Sequence, residues 1–252
     1  MTGAVPDPLP DWLTDARRIV ALTGAGISTD SGIPDYRGPQ GVWTQDPDAE
    51  KLVTLSYYVA DPDIRRRAWR MRRDLQVGDV QPNAGHRALV DLERQGRLRA
   101  LLTQNIDGLH QAAGSAPELV LELHGTVHEV ACLSCGDRTT MRSAPLQGPA
   151  VSMRAVGGRG AFDKSATISF GQALDADVID AAAEAATDCD VLLAVGTSLT
   201  VHPAAGLVDL AAASGARVVV VNAESTPYDG IADLVVRESI GTALPRLVAA
   251  AS

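Results

Sequence analysis

With 252 residues, 46% of them hydrophobic, the chain is long enough to bury a large core, as one domain with an insertion or as two unequal domains. A formal net charge of −9 disfavours general nucleic-acid binding, and three cysteines in this length argue against a disulfide framework. No apolar run reaches the length of a membrane span, and "MTGAVPDPLPDWL" lacks the basic start and apolar core of a signal peptide, so a cytoplasmic protein with no membrane partner is expected.

Near the N-terminus "RIVALTGAG" reads as a strand running into a glycine turn. It is nearly continuous in apolar character, as are "LRALLTQN", "LVLELHG", "CDVLLAVGTS", "ARVVVVNAE" and "DLVVRES" further on, the pattern of strands covered on both faces of a parallel sheet. Between them lie segments of helical period. Ala88, Leu89 and Leu92 follow "QPNAGH"; Val178, Ile179, Ala182 and Ala186 come later, then Leu207, Leu210 and Ala211, and finally Leu244, Leu247 and Val248. This alternation predicts an α/β fold, a doubly wound parallel Rossmann-type sheet. Two stretches break the rhythm: residues 36–80, helical and Arg-rich, and residues 126–170, rich in Gly, Ser and Pro around "CLSC". They are expected to form a smaller inserted module, leaving residues 1–35, 81–125 and 171–252 for the nucleotide-binding domain. The run "IRRRAWRMRR" in the first insertion is expected to be a solvated helix face, with contact to an acidic partner as the alternative.

The first glycine turn, "TGAGISTDSGIPDYRG", places Gly24 and Gly26 where backbone can approach a pyrophosphate at a helix N-terminus. Counting Gly-x-Gly-x-x-Gly from Gly24 puts Thr29 in the sixth place, and no acidic residue closes a second strand about 20 residues on. This is a nucleotide turn without the hydride-transfer fingerprint. Asp35 and Arg37 follow in a loop punctuated by Gly and Pro. "TQNIDGLH" then sits at the carboxyl end of a predicted strand, where open α/β sheets bind ligands, and Gln104, Asn105 and Asp107 are short polar groups suited to ribose hydroxyls or a water. His124 ends the next strand in "ELHG", a good position for a general base.

Taken together, "GAGIS", "GIPDYRG", "TQNIDGLH", "HG", "CLSC", "ISFGQ", "GTSL" and "VVNAE" stand in the order and spacing of the sirtuins, and the chain resembles that family from residue 19 to about residue 245. The resemblance implies a Rossmann-type domain with a small two-insertion module, acyl-lysine proteins or peptides as substrates and NAD as a consumed co-substrate. It implies that Gly24, Ala25, Gly26, Ile27, Asp35, Tyr36 and Arg37 surround the nicotinamide and diphosphate, with Trp43 close by in sequence. Gln104, Asn105, Ile106 and Asp107 match the nicotinamide-ribose pocket. His124 matches the base that activates a ribose hydroxyl, and Asn105 and Asp107 complete the catalytic set. Gly196, Thr197, Ser198, Asn222 and Ile240 match the diphosphate and adenosine end. Ile168, Phe170 and Gly171 match the segment that pairs with substrate backbone, although an ordinary core strand reads equally well there.

Two departures from the family pattern stand out. "CLSC" supplies Cys132 and Cys135, but Met153-Arg154-Ala155-Val156-Gly157-Gly158 stands where relatives carry a second Cys-x-x-Cys, at the ~15–20-residue spacing of a zinc ribbon. The third cysteine, Cys189, stands alone between Asp188 and Asp190. Only two of four thiolates are present, so no metal ligand set is assigned and no tightly bound zinc is expected; His128 and Asp137 are the nearest substitute ligands. The second departure lies in the Arg-rich helix: relatives that remove acidic acyl groups use Tyr and Arg three apart, and this chain offers Trp69 and Arg72. Neutral short acyl groups are therefore expected, with residual succinyl removal through Arg72. The resulting reading is an NAD-dependent protein lysine deacylase of deacetylase type, releasing nicotinamide and O-acyl-ADP-ribose. The alternatives are a catalytically weak NAD-binding or sensor module, and a mono-ADP-ribosyltransferase using the same site.

Overall fold

Every residue of Ile19–Thr23 is buried, which a strand achieves only when both faces of its sheet are covered. The computed structural model describes residues 2–39, 41–74, 80–141 and 163–249. Its strands are β1 (Thr2–Gly3), β2 (Ile19–Thr23), β3 (Leu98–Thr103), β4 (Val120–Glu122), β5 (Gly125–Cys132), β6 (Arg138–Thr140), β7 (Asp163–Thr167), β8 (Val191–Val195), β9 (Arg217–Val221) and β10 (Leu234–Val236). The helices are α1 (Asp11–Thr14), α2 (Val42–Gln45), α3 (Leu55–Ala60), α4 (Pro62–Asp74), α5 (Ala84–Arg94), α6 (Leu109–Ala113), α7 (Ala176–Thr187), α8 (Gly206–Ala213) and α9 (Ile240–Val248).

Seven strands form one parallel sheet in the order β1-β10-β9-β8-β2-β3-β4, with the two-residue β1 at its edge. Alternation along each strand divides its side chains between two layers. Ile19, Ala21, Leu101, Leu193 and Val219 pack with Leu89 and Leu92 of α5 and Leu244 and Leu247 of α9. Val20, Leu22, Leu102, Leu192 and Val220 face the other way, onto Ala182 and Ala186 of α7 and Leu207 and Val208 of α8. Each fully buried Leu or Val is worth about 1.5–3 kcal/mol relative to exposure, so these two layers hold the domain together. Leu210, expected on an apolar helix face, is instead 42% exposed. Cys189 is buried and donates to the Ala186 carbonyl at 3.2 Å, a packing role at the end of α7.

From β2 the chain moves outward to β3 and β4, then returns to lay β8 on the other side of β2. The crevice between β2 and β8 is thus the topological switch point, the usual ligand position of such sheets. Asn83 fixes α5 to this point. Its Oδ1 accepts from Gly85 N at 2.9 Å and caps the helix, while its Nδ2 donates to the Ile27 carbonyl at 2.7 Å.

A second, antiparallel sheet of three strands, β6-β5-β7, is covered by α3 and α4: the Tyr58 hydroxyl donates to the Asp163 carbonyl at 2.7 Å. The Arg-rich helix is not solvated all round. Arg65 is buried and donates to the carbonyls of Tyr58 and Val59 at 3.0 and 2.8 Å. The two sheets meet at His124-Gly125, between β4 and β5. Gly125 has φ +69°, and a Cβ there would lie 2.1 Å from the Ala166 carbonyl oxygen. Gly125→Ala combines a left-handed backbone with a backbone clash and should cost about 2 kcal/mol or more. Urea denaturation measures it, and an unshifted midpoint would contradict this account of the junction.

Candidate functional site

The site begins where two glycine turns interlock. Gly24 N donates to the Val195 carbonyl at 3.0 Å, and Gly26 N donates to the Gly196 carbonyl at 2.8 Å. A Cβ on Gly24 would lie 2.7 Å from the Gly196 oxygen, and one on Gly196, whose φ is +61°, would lie 2.4 Å from Ile27 N. Only glycine allows this approach. Above it opens a cavity of about 610 Å³ lined by Gly24, Ala25 and Gly26 on one side and Gly196, Thr197 and Ser198 on the other. Ile27 is buried beneath the turn and does not line the cavity.

The segment after β3 forms the floor. Gln104 Nε2 donates to Thr197 Oγ1 at 2.9 Å and so ties the floor to the second turn. Asn105 Nδ2 donates to Ser28 Oγ at 3.1 Å, and Ser28 Oγ donates to Asp107 Oδ2 at 2.8 Å. Asp107 Oδ1 accepts from Leu109 N at 3.0 Å. Gln104, Asn105 and Ile106 line the cavity, whereas Asp107 does not. The carboxylate therefore acts through Ser28, which fixes the Asn105 amide. Ser28, not singled out from the sequence, sits inside "GAGIS", and only the fold shows it between Asn105 and Asp107. Deeper still, Thr23 Oγ1 lies 3.0 Å from His110 Nε2, and the His110 ring centroid lies 4.9 Å from that of His86. Burial pulls His86 down to about 4 and His110 to about 3, so at neutral pH neither places a charge under the floor.

His124 faces the cavity across from the glycine turns. Its Nδ1 lies 3.1 Å from the Gln104 carbonyl oxygen, which can only accept. That contact selects the Nδ1–H tautomer and leaves the lone pair on Nε2. Burial lowers the His124 pKa and the bond to the Gln104 carbonyl opposes the shift, so the ring is neutral at pH 7.

Asn222, Ser198 and Ile240 line the far end of the cavity beside Glu224 and Glu238. Arg237 holds this end by donating to the Asn222 and Glu224 carbonyls at 2.7 and 2.6 Å and pairing with Asp229. Over the near end lies the loop of Asp35, Tyr36 and Arg37. Asp35 Oδ1 accepts from Gly38 N at 2.9 Å, and the Tyr36 carbonyl accepts from Trp43 N at 3.0 Å. The Arg37 guanidinium stacks 4.4 Å over the Trp43 ring, which in turn packs 5.5 Å from Phe170.

Ile168, Phe170 and Gly171 line the cavity but follow β7 as irregular chain. Phe170 N already donates to the Val53 carbonyl at 2.8 Å, and its own carbonyl accepts from Leu55 N at 2.9 Å. A peptide strand added here cannot use those groups. Arg72 lines the cavity; Trp69 does not, and its indole N–H is buried without a hydrogen-bond partner. Cys132 is buried and Cys135 exposed, both as free thiols. Met153, Val156 and the rest of the segment opposite the first Cys pair lie outside the described residues. Among the described residues no group of three His, Cys, Asp or Glu side chains could hold a metal ion.

The tautomer and burial of His124 carry a direct test. Its imidazole should titrate below the ordinary value of about 6.5 in the unliganded protein. NMR of the His124 ring protons against pH measures the midpoint, and a value at or above the ordinary one would contradict a buried neutral base.

A family model described as the Sir2 family matches residues 24–203. "NAD-dependent protein deacetylase 2" of Streptomyces coelicolor is 52% identical over 244 residues, covering 94% of this chain and 98% of that protein. "NAD-dependent protein deacetylase" of Rhodopseudomonas palustris is 41% identical, with 94% of each chain covered. Among solved structures, a Sir2 homolog in complex with NAD superposes with a TM-score of 0.84 at 35% identity, covering 98% of this chain and 94% of that one. A Sir2 protein with a deacetylated p53 peptide and 3'-O-acetyl ADP-ribose also gives 0.84, at 32% identity and 94% coverage of both chains. The interlocked glycine turns, the neutral histidine opposite them and this likeness over nearly the whole length agree: the chain belongs to the Sir2 family, the sirtuins.

Proposed function

We propose that this chain is an NAD-dependent protein lysine deacylase of deacetylase type, acting on acyl-lysine side chains of cytosolic proteins. The observation that carries the reading is His124, a neutral imidazole with Nδ1 held on the Gln104 carbonyl, lining the same cavity as the two glycine turns. The close packing of the two glycine turns sets Ala25, Thr197 and Ser198 on the cavity, where a diphosphate fits. NAD, when bound, supplies an anomeric carbon with nicotinamide as its leaving group. Gly24–Gly26 and Gly196–Ser198 would hold the diphosphate, and Asn222 and Ile240 the adenosine. Gln104, Asn105 and Ile106 would border the nicotinamide ribose. His124 Nε2 then takes the proton of a ribose hydroxyl, while the Asn105 amide, fixed by Ser28 and Asp107, orients the reacting groups. Asp35, Tyr36 and Arg37 close over the site and exclude water. We assign this machinery to residues 1–35, 81–125 and 171–252, with residues 36–80 and 126–170 forming the substrate-facing module.

The same reading treats the metal half-site as unused. Two thiols and no third donor among the described residues do not fit a structural zinc ion, which wants four ligands. Isolated zinc fingers gain about 10–16 kcal/mol from the ion, but this module is tied to the main domain through the chain at His124-Gly125 and the bond from Ile168 N to the His124 carbonyl, and starts from a lower ordering cost. Protein purified without added metal should carry far less than one zinc per chain and keep its activity in a chelator. About one zinc per chain, or activity lost to a chelator and restored by zinc, would point to ligands such as His128 or Asp137.

The functional test combines products with a variant. With NAD and an acetyl-lysine peptide, mass spectrometry should find O-acetyl-ADP-ribose and nicotinamide. Protein-linked ADP-ribose would indicate a transferase, and no nicotinamide a sensor. His124→Ala should slow deacetylation at least about 100-fold, the contribution expected of a general base, while largely keeping NAD affinity. Near-parental turnover in that variant would remove His124 from the role.

A further inference from the structure

Beneath the cavity floor lie three buried polar side chains that do not line the cavity: Thr23, Thr103 and His110. Thr23 and Thr103 are register partners at the last positions of β2 and β3, so their side chains share one face of the sheet. Thr23 Oγ1 donates to Thr103 Oγ1 at 2.9 Å. A hydroxyl has one hydrogen, and Thr23 spends it there. Toward His110 Nε2, 3.0 Å away, Thr23 can therefore only accept, which puts the imidazole proton on Nε2. His110 Nδ1 then carries a bare lone pair, and among the described residues it is this ring nitrogen that is buried without a partner. Burial, with His86 as neighbour, keeps the ring neutral.

This line of donors ends on Asn105. Where β3 runs out, the Thr103 carbonyl accepts from Leu123 N at 2.8 Å, and Gln104 N donates to the Thr23 carbonyl at 2.9 Å. Asn105 N, the next donor along, goes to Thr103 Oγ1 at 3.1 Å in place of a strand carbonyl. Asn105 is thus held at two points by hydroxyls: its backbone by Thr103, and its side-chain amide by Ser28 at 3.1 Å. Thr103 Oγ1 receives hydrogens from both Thr23 and Asn105, which uses both of its lone pairs. If His110 stopped donating, the Thr23 hydroxyl would be free to turn, and the order that presents Thr103 Oγ1 to Asn105 N would be lost.

Building on the deacylase reading above, we propose that His110, Thr23 and Thr103 are positioning residues, a directed relay that sets the place of Asn105 for the release of nicotinamide. They act through Asn105, from beneath the floor. The diphosphate end of the cavity is formed by the two glycine turns, whose mutual contact does not pass through the Thr103 hydroxyl. Loss of the relay therefore shifts the reacting end alone. A displacement of a reacting group by a fraction of an ångström slows the chemical step and leaves binding elsewhere in place.

The test begins with nitrogen NMR of the unliganded parent protein, in which the His110 ring should carry its proton on Nε2. A proton on Nδ1 overturns the relay, and because this is read on the parent it decides even where a variant does not fold. His110→Leu should move the Asn105 amide proton although two hydroxyls lie between them, and His110→Gln, whose amide nitrogen can still donate to Thr23, should restore it. With NAD and an acetyl-lysine peptide, kcat for nicotinamide release should fall at least about tenfold in His110→Leu and in Thr103→Val, with NAD affinity kept within about threefold. His110→Gln and Thr103→Ser, which keep the donor and the hydroxyl, should stay within about threefold of the parent. An Asn105 amide unmoved in His110→Leu, equal losses in the variants that keep and that lack the polar group, or a loss that falls on NAD affinity instead of kcat each overturns the proposal. A parent that releases no nicotinamide defeats the deacylase reading instead, and shows it before any variant is made.

Discussion

Gly196 lies with its carbonyl against Gly24 and Gly26 so closely that no side chain fits at any of the three positions. This contact between two turns at the carboxyl ends of β2 and β8 determines much of what surrounds it. It closes the floor of the crevice at the switch point, brings Thr197 within reach of Gln104, and holds the backbone of Ala25 and Ser198 along one wall of the cavity. The geometry of the site is built outward from it. Gln104 is anchored to Thr197, and the Gln104 carbonyl selects the tautomer of His124. One hydrogen-bonded path therefore runs from the glycine contact to the His124 ring.

A second path orders the amide chemistry. Asp107 bonds Ser28, Ser28 accepts from Asn105, and the histidines beneath are kept neutral by burial. Polar groups in a dry interior are costly unless satisfied, and here the satisfaction has direction: each donor spent below fixes which atom remains above. The small module joins this frame at Gly125 and again where Ile168 N donates to the His124 carbonyl at 2.8 Å. The module thus hangs from the same junction that places His124.

The parallel sheet was legible because strands such as Ile19–Thr23 and Val191–Val195 are apolar on both faces, a pattern that survives in sequence. The glycines, "TQNIDGLH" and His124 were legible because they sit at strand ends, where α/β sheets bind ligands. Roles that depend on three-dimensional neighbours were not legible. Nothing local shows that Asp107 bonds Ser28, that Trp69 stays off the cavity, or that the Phe170 backbone is already paired. Arg65 reads as part of a solvated basic face and is buried. Charged side chains mislead in this way whenever carbonyls from a neighbouring turn accept their protons.

The central claim is that the contact of Gly24 and Gly26 with Gly196 forms the dinucleotide cradle. Backbone amide NMR of the isotope-labelled protein, recorded as NAD is added, tests it directly. The largest shifts should fall on Ala25, Gly26, Thr197 and Ser198, with smaller ones at Asn105 and Asn222. Saturable NAD binding whose amide shifts leave both glycine turns unmoved and fall instead in the three-stranded module would contradict it.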